Sequence, residues 1–364
     1  MKADTGAQGN ASASPHWTTR DRGSHRRISP TVGPMNTPDE ATIQTVTGPI
    51  TADQLGRTLM HEHLAVGYPG WESATNEPFD RTEAAKVCID HIESLKQLGY
   101  STLIDPCPND LGRDVELMVT VAEATGFNII CATGLYKEHE GGYAHWAFRS
   151  RFEDISAVMA DLFIGELVDG IGSTGIRPGL IKVGTGLGDL TEHEQAVFAA
   201  AATAAAATGT PITTHTEDGT LGDRQQGVLT AAGVDAHRIV VGHSCGSTDT
   251  DYHLRIARGG SYLGFDRFGI TTVSDDDRAA SLARLVEAGA GDRIVVSHDS
   301  VWCWKGNPWP VGLRQRIAET FVPTRFDTDI IPKLVDLGVA DDAIHRLTHD
   351  NPHNYFEGMP LADL

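Results

Sequence analysis

A closed (β/α)8 barrel, the TIM-barrel class, with a short β-hairpin ahead of it, is the fold this sequence predicts. Three observations predict it. Short apolar, β-branched runs recur eight times along the chain. Each is followed by a Gly- or Asp-containing loop and then a segment of helical period. The runs are apolar on both faces, as strands of a parallel sheet covered on both sides must be. Eight such units in roughly 300 residues match a closed barrel. An open doubly wound sheet is the alternative, but its GxGxxG after the first strand is missing. "GTGLGD" at 184–189 follows the fourth run, lacks the third glycine and reads as loop.

The runs cover residues 57–64, 101–105, 128–133, 179–183, 211–215, 238–243, 261–266 and 293–299. Between the first two, residues 81–98 set Ala84, Cys88, Ile92 and Leu95 on one helical face, and Asp80 with Glu83 makes a capping-box start. Thr191 and Glu194 form a second box, opening an Ala-rich helix that runs to about residue 207. "RIVVGHS" at 238 and "RIVVSHDS" at 293 both end a strand in histidine, an echo of equivalent barrel positions.

With 364 residues, 40% apolar and 21% charged, the chain can bury a sizeable core. No window has the uninterrupted apolar length of a membrane helix. A net charge of -20, from 49 acidic against 29 basic residues, argues against nucleic acid or an anionic membrane surface as partner. The five cysteines are scattered, with no CxxC, which fits a cytoplasmic setting. Residues 1–38 are rich in Gly, Ser, Ala, Thr, Pro and Arg and read as a disordered arm, leaving 39–364 as the barrel domain. Arg26-Arg27 lacks the following apolar region that a twin-arginine export signal needs, and Met35 is an alternative start.

The polar residues that interrupt the runs share a chemistry. His61 and His63 lie in the first, Lys182 late in the fourth, His215 at the end of the fifth, His243 of the sixth and Asp299 of the eighth. All offer nitrogen or oxygen ligands, and all but the first pair fall at the carboxyl ends of strands, the rim where such barrels build active sites. Alternation turns His61 and His63 to one face and Glu62 between them to the other. A lone strand histidine is most simply a hydrogen-bonded core residue, but a metal ion would satisfy the whole set at once. Lys182, in "GLIKVGTG", has two readings. Desolvation lowers its pKa and lets it capture carbon dioxide as a carbamate that bridges two cations; or it pairs with Asp299, or snorkels to the rim.

"TLMHEHL", "GLIKVGTG", "THTEDGT", "VVGHS", "GFDRFG" and "VVSHDS" resemble, in order, the motifs of the phosphotriesterase-like hydrolases of the amidohydrolase superfamily, including their lactonase branch. The resemblance runs from about residue 43 to 356 and includes "LTHDNPHNYF". It implies a binuclear centre: His61, His63 and Asp299 on a buried metal, His215 and His243 on a more exposed one, with carboxylated Lys182 and a hydroxide bridging them. The ions would be zinc, with cobalt, manganese or iron as alternatives. They would lower the pKa of the bridging water and polarise the substrate, and Asp299 would also take the nucleophile's proton.

The branch is read from departures. Dedicated phosphotriesterases carry a histidine after the strand-seven "LD" and a tryptophan after "ATGL"; this chain has Arg267 and Tyr136, similar to the lactonase-like branch, where both positions line the pocket. The acidic relay after the strand-six histidine is absent from "HSCGSTD". Asp266 ends the seventh run, with an ion pair to Arg267 as its structural reading. "SVWCWKGNPWPVG" reads as a long loop whose Trp302, Trp304 and Trp309 either cap an apolar pocket or serve packing or a dimer contact. His91, His298, His345, His349, His353 and Cys245 are read as outside the site. The expectation is a metal-dependent hydrolase of a small neutral ester, a lactone foremost, with weak organophosphate turnover, acting as a homodimer. A dedicated phosphotriesterase or aryl esterase, or a metal-containing binding protein, is the alternative.

Overall fold

The β-branched runs pair side by side in the computed structural model, which describes residues 42–270 and 272–364. The arm expected over residues 1–38, with its boundary at 39, lies outside the described residues. The chain enters through an antiparallel hairpin of β1 (Thr42–Thr45) and β2 (Gly48–Thr51), as expected. Its turn needs Gly48, whose φ of 124° an L side chain rarely adopts.

The barrel follows in chain order: β3 (Arg57–Leu59), β4 (Glu62–Val66), α1 (Arg81–Gln97), β5 (Tyr100–Asp105), α2 (Val115–Thr125), β6 (Asn128–Gly134), α3 (Tyr143–Arg149), α4 (Ile155–Asp169) and β7 (Leu180–Thr185). It continues with α5 (Glu192–Thr208), β8 (Ile212–Thr216), α6 (Gly222–Ala231), β9 (Ile239–Val241), α7 (Thr250–Arg258), β10 (Tyr262–Phe265), α8 (Asp275–Glu287), β11 (Ile294–Val296) and β12 (Ser300–Trp304). Helices α9 (Val311–Thr320), α10 (Ile331–Asp336), α11 (Asp341–Thr348) and α12 (Asp350–Glu357) close the chain. Eight strands form one parallel sheet, ordered β11-β10-β9-β8-β7-β6-β5-β3. Helix starts follow the sequence signals. Asp80 accepts from the amides of Thr82 and Glu83, and Thr191 and Glu194 cap each other's backbone reciprocally.

The first run, expected as one strand over 57–64, is broken at Met60 and His61 because it changes partner. Its lower half, β3, pairs with β5, and its upper half, β4, pairs with β12. The bonds Met60 N to Val296 O (3.2 Å) and Asp299 N to His61 O (3.0 Å) join the two ends of the sheet across this seam. This also corrects the reading of "SVWCW" as loop: Ser300–Trp304 is strand β12, in register with β4 so that Val301 lies opposite His63. Trp302 and Cys303 turn outward, Trp302 against His91 of α1, while Val301 and Trp304 face a cavity, a departure from strict alternation where the pairing with β4 skips residue 302.

Ile104, Ile130, Ala132, Leu180, Val240 and Val295 fill the lower barrel interior, closed beneath by Tyr355 and Phe356. Their sequence neighbours, such as Ile129, Ile181 and Val296, pack outward against the helices. With the lower interior filled, only the carboxyl rim can host chemistry. Among the described residues no helix is long and apolar enough to cross a membrane. All five cysteines are free thiols.

Candidate metal centre

Alternation along β4 and its approach brings His61 and His63 to the interior, with ring centroids 5.1 Å apart. His243 and Asp299 follow the ends of β9 and β11 in left-handed backbone conformations, φ 57° and 54°. That conformation is strained for residues with a Cβ, and such strain gathers where a side chain must be aimed. The aim converges: Asp299 Oδ1 lies 3.4 Å from His61 Nε2 and 3.3 Å from His63 Nε2, and Asp299 Oδ2 lies 3.8 Å from His243 Nε2. His215, at the end of β8, has its ring centroid 4.6 Å from that of His243.

Behind each ring stands a carboxylate. His61 Nδ1 and His243 Nδ1 each donate to Asp266, at 3.1 and 2.9 Å, and His63 Nδ1 donates to Asp105 at 3.2 Å. With Nδ1 engaged, Nε2 of all three is left for the interior, the arrangement found behind metal-ligating histidines. His215 is held the other way round, its Nε2 3.3 Å from Glu217 and its Nδ1 3.2 Å from the Tyr136 hydroxyl.

Charge follows the geometry. Burial, aided by Lys182, lowers the pKa of His61; burial and Arg267 push His243 down to about 3; burial holds His215 well below the ordinary value. These rings offer lone pairs. His63 is the exception: burial opposes its protonation, but Asp105 and Asp299 outweigh burial and hold it well above its ordinary pKa. Burial likewise works against the Asp299 and Asp266 carboxylates, yet both stay well below the usual range, Asp266 through the hydrogen bonds it accepts from His243 and His61, Asp299 through Arg267 and the hydrogen bond from His63.

Lys182, buried on β7, points its amine to within 3.2 Å of His61 Nε2 and 3.4 Å of the Thr214 carbonyl. The expected alternative of an ion pair with Asp299 is absent among the described residues, and burial pushes the amine down to about 8. Asp266 also departs from its structural reading. It serves His61 and His243, while Arg267 pairs instead with Asp299, Nε to Oδ2, at 3.0 Å. His298 and Glu62 face away from the site as expected, though Glu62 is fully buried, its Oε1 accepting from His298 Nδ1 at 2.7 Å.

All the expected site residues line one cavity of about 180 Å³. Tyr136 and Arg267 stand beside the histidines. Val66, Leu111, Ile270, Val301 and Phe321 make apolar walls. Of the three tryptophans, Trp304 and Trp309 reach the cavity, and their rings meet edge to face at 5.5 Å; Trp302 does not. The donor set suits divalent cations. His61, His243 and Asp299 bring ligand atoms within 4.8 Å of one another, and imidazole with carboxylate is the ligand chemistry of zinc and its neighbours.

The phosphotriesterase family model matches residues 41–356. The chain belongs to the phosphotriesterase family. Within it, the chain is similar to the phosphotriesterase homology protein of Mycobacterium tuberculosis, 36% identical over 321 residues, covering 86% of this chain and 97% of that one. It is also similar to the aryldialkylphosphatase of Saccharolobus solfataricus, 31% identical over 309 residues, with coverage of 84% and 96%. A solved variant of the PTE-like lactonase of Deinococcus radiodurans superposes with a TM-score of 0.83 at 38% identity, over 86% of this chain and 100% of that one.

This member of the family has supporting residues that the sequence reading passed over. Asp105 ends the second run just as His215 ends the fifth, and that position was the available signal. Asp110 accepts from the amides of Tyr136 (3.0 Å) and Gly142 (2.8 Å), pinning the loop that carries Tyr136. Glu217 and Lys137 left no signal, because each sits in a loop beside a predicted residue and nothing in one sequence pairs them.

Proposed function

We propose that this phosphotriesterase-family hydrolase cleaves a carboxylic ester, a lactone foremost, with organophosphate triesters as weak substrates. Two divalent cations, zinc first, would be held by His61, His63 and Asp299 and by His215 and His243, with Lys182 between them as its carbamate. When bound, the cations lower the pKa of water and polarise the scissile carbonyl. Every other role belongs to the chain. Asp299, aimed by His61, His63 and Arg267, accepts the attacking water's proton at its carboxylate. Tyr136 offers its hydroxyl to the oxygen on which charge develops, from a site out of bulk water. The apolar walls hold a neutral substrate and exclude solvent. A buried amine beside His61 with no carboxylate partner among the described residues supports the carbamate.

The observation that carries the reading is the meeting of Tyr136 and Arg267 with the histidine cluster under one apolar roof. Phosphotriester hydrolysis as the main activity is the second reading, favoured by the name of the aryldialkylphosphatase relative. Five free thiols support a cytoplasmic setting. The test is a kcat/KM panel of lactones, aryl esters and phosphotriesters on zinc-reconstituted protein and on chelator-stripped protein. Metal-dependent turnover with lactones ahead is expected. Phosphotriesters ahead would overturn the substrate assignment, and no metal-dependent turnover at all would favour a binding protein.

A further inference from the structure

Three of the four clustered histidines hand Nδ1 to a carboxylate and keep Nε2 for the interior. His215 alone is reversed. The Tyr136 hydroxyl lies near both of its nitrogens, 3.2 Å from Nδ1 and 3.4 Å from Nε2, but Glu217 engages Nε2 alone, which leaves Nδ1 as the nitrogen without a carboxylate. The same Glu217 oxygen, Oε2, takes the ammonium of Lys137. Lys137 is buried, its charge matched by Glu217 and by Glu140 at 3.2 Å.

Both partners stand on constrained backbone. Glu217 opens a one-turn segment directly after β8, where Asp218 has φ 50° and a Cβ on Gly219 would come within 2.4 Å of the Ser247 amide nitrogen. Lys137 directly follows Tyr136, and its carbonyl accepts from the amide of Gly141 at 2.9 Å. A salt bridge between two such anchors fixes the carboxylate, and the carboxylate fixes the ring.

We propose that Lys137 and Glu217 are a positioning pair that selects Nδ1 of His215 as the presented nitrogen and so governs the outer of the two cation sites. This rests on the two-cation reading given above. Glu217 touches neither substrate nor reacting atoms; it acts through His215. Lys137 holds Glu217 in place and, through its adjacency to Tyr136, ties the outer site to the substrate-facing loop.

The test is cobalt(II) titration of the metal-free full chain against a competing chelator, reading occupancy and the visible absorption of each bound ion, with melting temperature alongside. Wild type should take two ions. Glu217→Ala should keep the first and bind the second about 10- to 100-fold more weakly, with altered absorption of that ion. Glu217→Gln, whose amide oxygen still accepts from Nε2–H, should recover most of the loss. Lys137→Met should weaken the second ion in the same way, and it reads the inference if Glu217→Ala does not fold. Second-ion affinity equal to wild type in these variants, with or without a lower melting temperature, would overturn the proposal. So would equal weakening of both ions. A wild type that binds no cobalt would bring down the two-cation reading itself, an outcome separate from a wild type that binds two beside unaffected variants.

Discussion

Glu62 Oε1 and His298 Nδ1 lie 2.7 Å apart within the packing around the barrel, on the other side of the strands from His61, His63 and Asp299. Glu62 Oε1 also accepts from the Ser297 hydroxyl (2.7 Å) and the His298 amide (2.9 Å), and the Phe326 amide donates to His298 Nε2 at 2.9 Å. That donor fixes the tautomer, since Nε2 must carry the lone pair and Nδ1 the proton. One buried carboxylate thus braces the strand ends bearing three of the expected ligands. Glu62→Ala leaves several buried donors without an acceptor and should cost about 3–5 kcal/mol of stability, read by denaturant unfolding of the metal-free protein. A cost under about 1 kcal/mol, the net worth of one hydrogen bond, would refute the brace.

Asp266→Asn should weaken cation binding about 10- to 100-fold, measured as retained zinc after dialysis against graded chelator. The aspartate accepts from His61 Nδ1 with one oxygen and from His243 Nδ1 and amide with the other. An amide has one acceptor, so one ring must meet an NH2 group and move its proton to the nitrogen a cation needs. Zinc retention equal to wild type would show that these carboxylate contacts do not tune the rings.

The buried amine of Lys182 ties stability to pH. Burial lowers its folded pKa from 10.5 to about 8. Below that value both folded and unfolded chains carry the proton, and the fold bears the full cost of a buried ammonium. Between about 8 and 10.5 the unfolded chain binds more protons than the folded one, so stability from this group rises with pH. In metal-free protein, wild-type stability measured against Lys182→Met should therefore improve across that interval. A flat difference would mean that the amine titrates normally.

Tyr136→Phe should lower lactone kcat by about 10²–10³, the worth of one preorganised donor, with KM changed far less. A proportionate rise in KM at unchanged kcat would instead make the hydroxyl a ground-state contact.

The tryptophans should separate by role. Trp304→Ala opens the cavity wall and should change kcat/KM ratios along a series of lactone side-chain lengths. Trp302→Ala removes a side chain packed against α1 and should cost about 3–5 kcal/mol of stability while leaving those ratios alone. Both effects from one residue would mean that β12 is not in the observed register.

What could be read from sequence was whatever repeats or ends a pattern. Eight covered strands announced the barrel, and His61, His63, Lys182, His215, His243 and Asp299 stood out because each breaks an apolar run, the last four at its carboxyl end. Contacts made between elements stayed hidden. Asp266 looked like Arg267's partner because they are adjacent, yet their side chains serve different neighbours, His243 for one and Asp299 for the other. "SVWCW" looked like loop because its pairing partner lies far back at Glu62–Val66, and only a closed barrel brings the two together.

The change of partner in the first strand gives the cavity a history as well as a shape. His61 and His63 lie near the start of the barrel and Asp299 near its end, and they come into reach only when the Met60–Val296 and Asp299–His61 backbone bonds form. Such distant contacts are the slowest for a chain to find. Uptake of the buried cation during refolding would then act as a clock for ring completion: a fragment ending before β11 could build most of the wall and still lack Asp299, and a loaded protein would be clasped where its two ends meet.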